Sequence, residues 1–112
     1  MEIKTNVIFG DEKVKKAYEE LDGDFQEKQL KRKIDEKIDE LKRNAFSGIQ
    51  ISKRLIPKEY TKRFGELSNL WKHNLPNGWR LIYTVKNNGV TILSIVLEWM
   101  SHPEYERRFG YG

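Results

Sequence analysis

Apolar and polar positions alternate along "EIKTNVIF", with Ile3, Thr5, Val7 and Phe9 on one side. A period of two with β-branched side chains predicts a first strand, ended by Gly10. The period then lengthens. Val14, Ala17, Tyr18 and Leu21 recur at helical spacing behind Asp11, whose side chain can cap the new helix. "LDGD" breaks that helix at Gly23. A longer helix is predicted from Asp24 or Phe25 to about Asn44, because Leu30, Ile34, Ile38, Leu41 and Ala45 form one apolar stripe. Its other faces carry Lys, Glu and Asp. They predict a solvated surface rather than a coiled-coil seam, since two heptads are too few. The two segments together predict a helical hairpin packed on a sheet.

Gly48 stops the long helix, and "IQIS" can be extended. Pro57 suits the first position of a short helix, "PKEYTKRF", closed by Gly65. "LSNLWKHNL" and "WRLIYTV" predict strands on either side of the turn "PNG". "KNNGV" is a tight-turn signal, because Asn and Gly accept positive φ. "VTILSIVLEWM" is the most apolar strand and is expected to be central. "SHPEYERRFGYG" leaves the sheet at Pro103 as a short helix or turn. The expected fold is one α+β domain over residues 1–112. It has an N-terminal strand, a helical hairpin and an antiparallel three-stranded meander, with the helices on one face of the sheet.

Composition narrows the chemistry. The 112 residues include no cysteine, so no disulfide, thiolate nucleophile or cysteine metal site exists. No apolar run in "MEIKTNVIFGDEK" is long enough for a signal peptide or membrane span, and the expectation is a soluble cytoplasmic protein. The net charge of +4 is unevenly spread. Residues 11–47 hold ten Lys/Arg against eleven Asp/Glu, and residues 48–112 hold ten against five. A basic second half suggests an anionic partner such as nucleic acid, with a lysine-rich soluble surface as the alternative.

His73 and His102 are the only histidines, and no carboxylate pair lies at ligand spacing beside them. We therefore expect no metal and no cofactor. No glycine-rich phosphate loop is present, and the scattered serines and threonines give a serine triad no support. Lys53, Arg54, Lys58, Lys62 and Arg63 make a basic segment suited to phosphate, or a solvated helix face. Arg80 is unusual, because it interrupts an apolar strand. Strand alternation puts it with Ile82 and Thr84, opposite Trp79, Leu81, Tyr83 and Val85. Lys72 lies on the neighbouring strand, and His102 and Tyr105 follow the end of the next. Antiparallel order brings all four toward one sheet edge. The competing expectations are a salt bridge from Arg80 to Glu98 and core packing for Tyr105.

The pattern "LWKHNLPNGWRLIYTV…GVTILSIVLEW…HPEYERRFGY" resembles the RelE/ParE toxin superfamily, and most of all its RelE-type toxins, over residues 66–111. The resemblance implies a toxin held inactive by an acidic antitoxin. It also implies a metal-independent endoribonuclease that cuts mRNA at the ribosome. Carried over, it implies a catalytic set of Arg80, Lys72, His102 and Tyr105, with Lys53, Arg54, Lys58, Lys62, Arg63, Arg107 and Arg108 on RNA. Compact members carry a second strand lysine where Asn74 stands here. The chemistry is coherent. A 2′-OH attacking its own phosphate needs a base, a cation on the phosphate and an acid for the 5′ oxygen. The resemblance also implies two other readings, a non-catalytic ParE-like inhibitor of a topoisomerase and a degenerate RNA-binding member.

Overall fold

Two aspartates start the helices of the hairpin. In the computed structural model, which describes residues 4–110, Asp11 accepts a hydrogen bond from the Val14 N–H (2.9 Å) at the head of Glu12–Glu19, helix α1. Asp24 accepts from Glu27 N–H (2.8 Å) at the head of Phe25–Arg43, helix α2, while the Glu27 carboxylate accepts from Gly23 N–H. These bonds satisfy amides that a helix start leaves open. Ile34 and Leu41, in the predicted stripe, are fully buried, and Leu30 and Ile38 pack at its margin.

The strands are Lys4–Phe9 (β1), Ile49–Ile51 (β2), Leu70–Asn74 (β3), Arg80–Asn87 (β4) and Thr91–Met100 (β5). They form one sheet in the order β1-β5-β4-β3-β2, with β1 parallel to β5 and the other pairs antiparallel. The predicted alternation of β1 begins at Ile3, which lies outside the described residues. The meander is therefore the middle of a five-stranded mixed sheet, extended by β1 and by the "IQI" segment. β5 is flanked on both sides, as its apolar run requires, and β4 is the middle strand.

The helices do not all lie on one face. Helices α1 and α2 cover Leu81, Tyr83, Val85 and Val96. Lys58–Phe64 (α3) and His102–Phe109 (α4) cover the other face, where Ile82, Leu97 and Met100 pack with Tyr60, Tyr105 and Phe109. The reason is visible in β4, where Leu81 to Val85 are all buried. A strand apolar on both sides needs cover on both.

One irregularity decides how α4 leaves the sheet. Ile82 pairs with Glu98 but Tyr83 pairs with Val96, so Leu97 is an extra residue in β5. Such a bulge shifts the side-chain alternation by one. Glu98 and Met100 consequently share the face of Ile82 and Arg80, and the chain passes from Met100 into α4 on that face.

Candidate functional site

Arg80 opens β4, and cross-strand pairing sets its neighbours. Asn74 of β3 lies opposite it on one side and Met100 of β5 on the other. Lys72, two residues before Asn74, points to the same face. The half-buried guanidinium is anchored by its own loop: Nη1 donates to the Gly78 carbonyl (2.7 Å) and the Trp79 carbonyl (3.2 Å). Its Nη2 lies 3.3 Å from Nδ1 of His102, the first residue of α4. The guanidinium carbon sits 5.3 Å from the centre of the Tyr105 ring. Lys72 approaches the same ring, at 4.7 Å, and its Nζ donates to the Tyr105 hydroxyl at 3.0 Å. Guanidinium, ammonium, imidazole and phenol thus meet at one corner of the sheet, although 33 positions separate Lys72 from Tyr105.

The competing expectations for these residues fare differently. Glu98 faces Ile82 rather than Arg80 and pairs with Arg108 (2.8 Å). Tyr105 does pack in the core. It is 4% exposed and lies against Phe109, with ring centres 4.7 Å apart. A buried ring offers no face for stacking on an RNA base, so Tyr105 serves as the seat on which the two cations rest. His102 is the outermost member, and its Nε2 lies 2.5 Å from the Glu106 carboxylate. Glu106 does not stand out in the sequence among the other acidic residues. Its spacing of four from His102 on a helix was the available signal.

The predicted basic group divides. Lys53, Arg54, Lys58 and Lys62 are exposed, and no ion pair involves them among the described residues. Lys53 and Arg54 lie in a 3₁₀ turn and Lys58 and Lys62 on α3, the sheet face that also carries Arg80. Arg63 instead binds Asp11 through two nitrogens (2.8 and 3.1 Å), tying α3 to the head of α1. The Arg63 guanidinium holds the Asp11 carboxyl below the usual carboxylate range. Arg108 ties α4 to Glu98 of β5 and Glu59 of α3. These two arginines hold elements together and are set apart from the four exposed cations. Arg107 pairs with Glu104 at the exposed surface, where such a pair is weak and exchangeable.

The second histidine lies across the sheet. His73 is buried, stacked on Tyr83, with Ser47 Oγ 2.9 Å from its Nε2 and Glu40 3.9 Å from its Nδ1. This resembles a serine–histidine–acid line, although Ser47 and His73 lie 26 positions apart and no local pattern links them. The neighbouring amides are committed, however: Gly48 N–H donates to the Tyr83 hydroxyl and Ser47 N–H to the Asn44 carbonyl. Neither can stabilise an oxyanion there.

Burial, helped by Lys37, holds the His73 pKa below the ordinary value, while Glu40 opposes the shift. The folded state therefore takes up this proton less readily than the unfolded chain. Its contribution to stability is intact above the unfolded value, about 6.5, and is lost as pH falls below it. We expect the melting temperature of His73→Gln to fall less between pH 7.5 and 5.5 than that of the wild type. Parallel slopes in a thermal-melt series would remove His73 from the acid response.

The sequence model of the ParE toxin of type II toxin–antitoxin systems, parDE, matches residues 11–97. The chain belongs to this family. Among curated proteins and among solved structures, nothing matches. The toxin thus falls in the RelE/ParE superfamily, and its five-stranded sheet with four helices is consistent with that fold. Membership implies an antitoxin partner. The matched segment contains Lys72 and Arg80 and ends before His102 and Tyr105. Among the described residues, no helix is long and apolar enough to cross a membrane.

Proposed function

We propose that the toxin is an endoribonuclease that cleaves mRNA, at the ribosome and in the cytoplasm, by attack of a 2′-OH on the adjacent phosphate. The convergence of Arg80, Lys72, His102 and Tyr105 is the observation that carries this reading. Each requirement of the reaction has a group of suitable chemistry. His102 removes the 2′ proton as the 2′ oxygen bonds to phosphorus. Arg80, a planar donor that keeps its charge, binds the phosphate oxygens as negative charge grows on them. Lys72, seated by the Tyr105 hydroxyl, gives a proton to the 5′ oxygen as its bond to phosphorus breaks. The products are a 2′,3′-cyclic phosphate and a 5′-hydroxyl end. No step needs a metal or a covalent enzyme intermediate. Lys53, Arg54, Lys58 and Lys62 contact flanking phosphates without reading sequence. The antitoxin on this reading is acidic where it covers the basic face.

Asn74 stands beside Arg80 in place of a second lysine, so the site has one strand ammonium rather than two. A second reading, inhibition of a topoisomerase by binding alone, is favoured by the family matched and by the match ending at Leu97. Inducing the toxin in cells and mapping RNA 5′ ends separates the two. We expect cuts inside translated codons, absent in Arg80→Ala and His102→Ala. Intact messages with arrested replication would overturn the nuclease reading.

A further inference from the structure

We propose that Glu106 is a positioning residue of this site, holding His102 in the one tautomer that can act as base toward a phosphate on Arg80. The inference rests on the nuclease reading above and extends it to a residue outside the four-group cluster. The argument is one of donors and acceptors. An ionised carboxylate only accepts hydrogen bonds, so Nε2 of His102, 2.5 Å from Glu106, must carry the proton. A guanidinium only donates, so Nδ1, 3.3 Å from Arg80 Nη2, must carry the lone pair. Both neighbours select the same neutral form, Nε2–H. Its lone pair then lies against the cation that would hold the scissile phosphate, and it is released as base when Arg80 turns Nη2 to that phosphate.

Two further features restrict the ring. His102 is the first residue of α4 and Glu106 lies one turn on, so the helix itself sets their separation. Gly78 closes the other side: a Cβ built there would lie 3.1 Å from the His102 Cβ. The loop that supplies a carbonyl to Arg80 therefore also backs His102. Once Nδ1 has taken the 2′ proton, the imidazolium keeps its Nε2–H bond to the carboxylate. The positive charge is then balanced without movement of the ring. An exposed pair one helical turn apart contributes little to folding. The consequence of losing Glu106 should therefore appear in the base rather than in stability.

The test uses purified toxin as wild type, Glu106→Gln and Glu106→Ala. Long-range ¹⁵N–¹H correlation spectra at pH 8 report which His102 nitrogen is protonated, without any substrate. We expect Nε2–H in the wild type and in Glu106→Gln, whose amide oxygen still accepts, and a mixture of tautomers in Glu106→Ala. In single-turnover cleavage on programmed ribosomes, Glu106→Ala should lose roughly tenfold in rate, with RNA affinity and melting temperature unchanged. Glu106→Gln should recover most of that loss. An unchanged His102 tautomer in Glu106→Ala, or wild-type cleavage by it, would overturn the proposal. A wild type that cleaves no RNA would instead sink the nuclease reading, while the spectra would still decide whether Glu106 governs the ring.

Discussion

Replacing Arg80 with alanine is expected to lower RNA cleavage by roughly 10²–10³-fold, the range seen when one preorganised donor to a developing oxyanion is removed. Growth arrest should disappear with it, while the melting temperature moves little. The fold tolerates the loss because Arg80 is only half-buried and its partners are carbonyls of its own loop, Gly78 and Trp79, rather than groups of the core. No carboxylate is left unpaired, since Glu98 is held by Arg108. Arg80→Lys is the sharper variant. It keeps the charge and the apolar stem, but a single ammonium cannot meet Gly78, Trp79 and a phosphate as a planar fork does. We expect it to recover less than about a tenth of the lost rate, because the fork's geometry and not its charge is what it lacks. Single-turnover cleavage and thermal unfolding measured on the same preparations decide the matter. Cleavage within threefold of wild type by Arg80→Ala would remove Arg80 from the chemistry. An unfolded variant would make it a structural residue.

Much of this corner was legible because its cause is local. Alternation puts Lys72 and Arg80 on one face, and "KNNGV" folds β5 back on β4, with Gly89 at φ 91°. The end of β5 then delivers His102 and Tyr105 to the neighbourhood of Arg80. What stayed hidden depends on register and on distant pairing. Counting by twos from Ile95 sends Met100 to the face opposite Arg80. The extra residue Leu97 brings it back, and with it the point from which α4 departs. The second helical layer follows from that exit. Its apolar residues fall on two short helices, Tyr60 with Phe64 and Tyr105 with Phe109, and one turn of spacing on each shows an inward face but not which side of the sheet it covers. The bond from Arg63 to Asp11 spans 52 positions, and no local pattern signals it. A lysine-rich segment therefore looked uniform in sequence, although the fold divides it into exposed cations and structural ties.

Gly48 illustrates the same divide, and substituting it should have the largest effect on stability among the changes considered. In sequence it reads as the stop of α2. In the fold it lies where two strands and a buried ring close together. A Cβ at position 48 would stand 2.6 Å from the Lys72 carbonyl oxygen and 2.5 Å from the Tyr83 hydroxyl. Neither can step aside. The carbonyl belongs to the backbone of β3, and the Tyr83 ring is fully buried between Trp71 and His73. Alanine must therefore push the start of β2 outward, breaking the bond from Gly48 N–H to the Tyr83 hydroxyl (3.0 Å). Overpacking of this kind costs about 1–3 kcal/mol, and the orphaned phenol adds about 1 kcal/mol more. Together they predict a fall in melting temperature on the order of 10 °C. Activity should fall as well, since the displaced strand pairs through Ile49 with Lys72, whose ammonium holds the Tyr105 hydroxyl. Tyr83→Phe provides the internal check. It removes one of the two clashing atoms and the bond that Gly48→Ala breaks, so the double variant should be less destabilised than the two single losses combined. Fully additive losses, or a Gly48→Ala protein as stable as wild type, would mean that this close approach is not what position 48 is selected for.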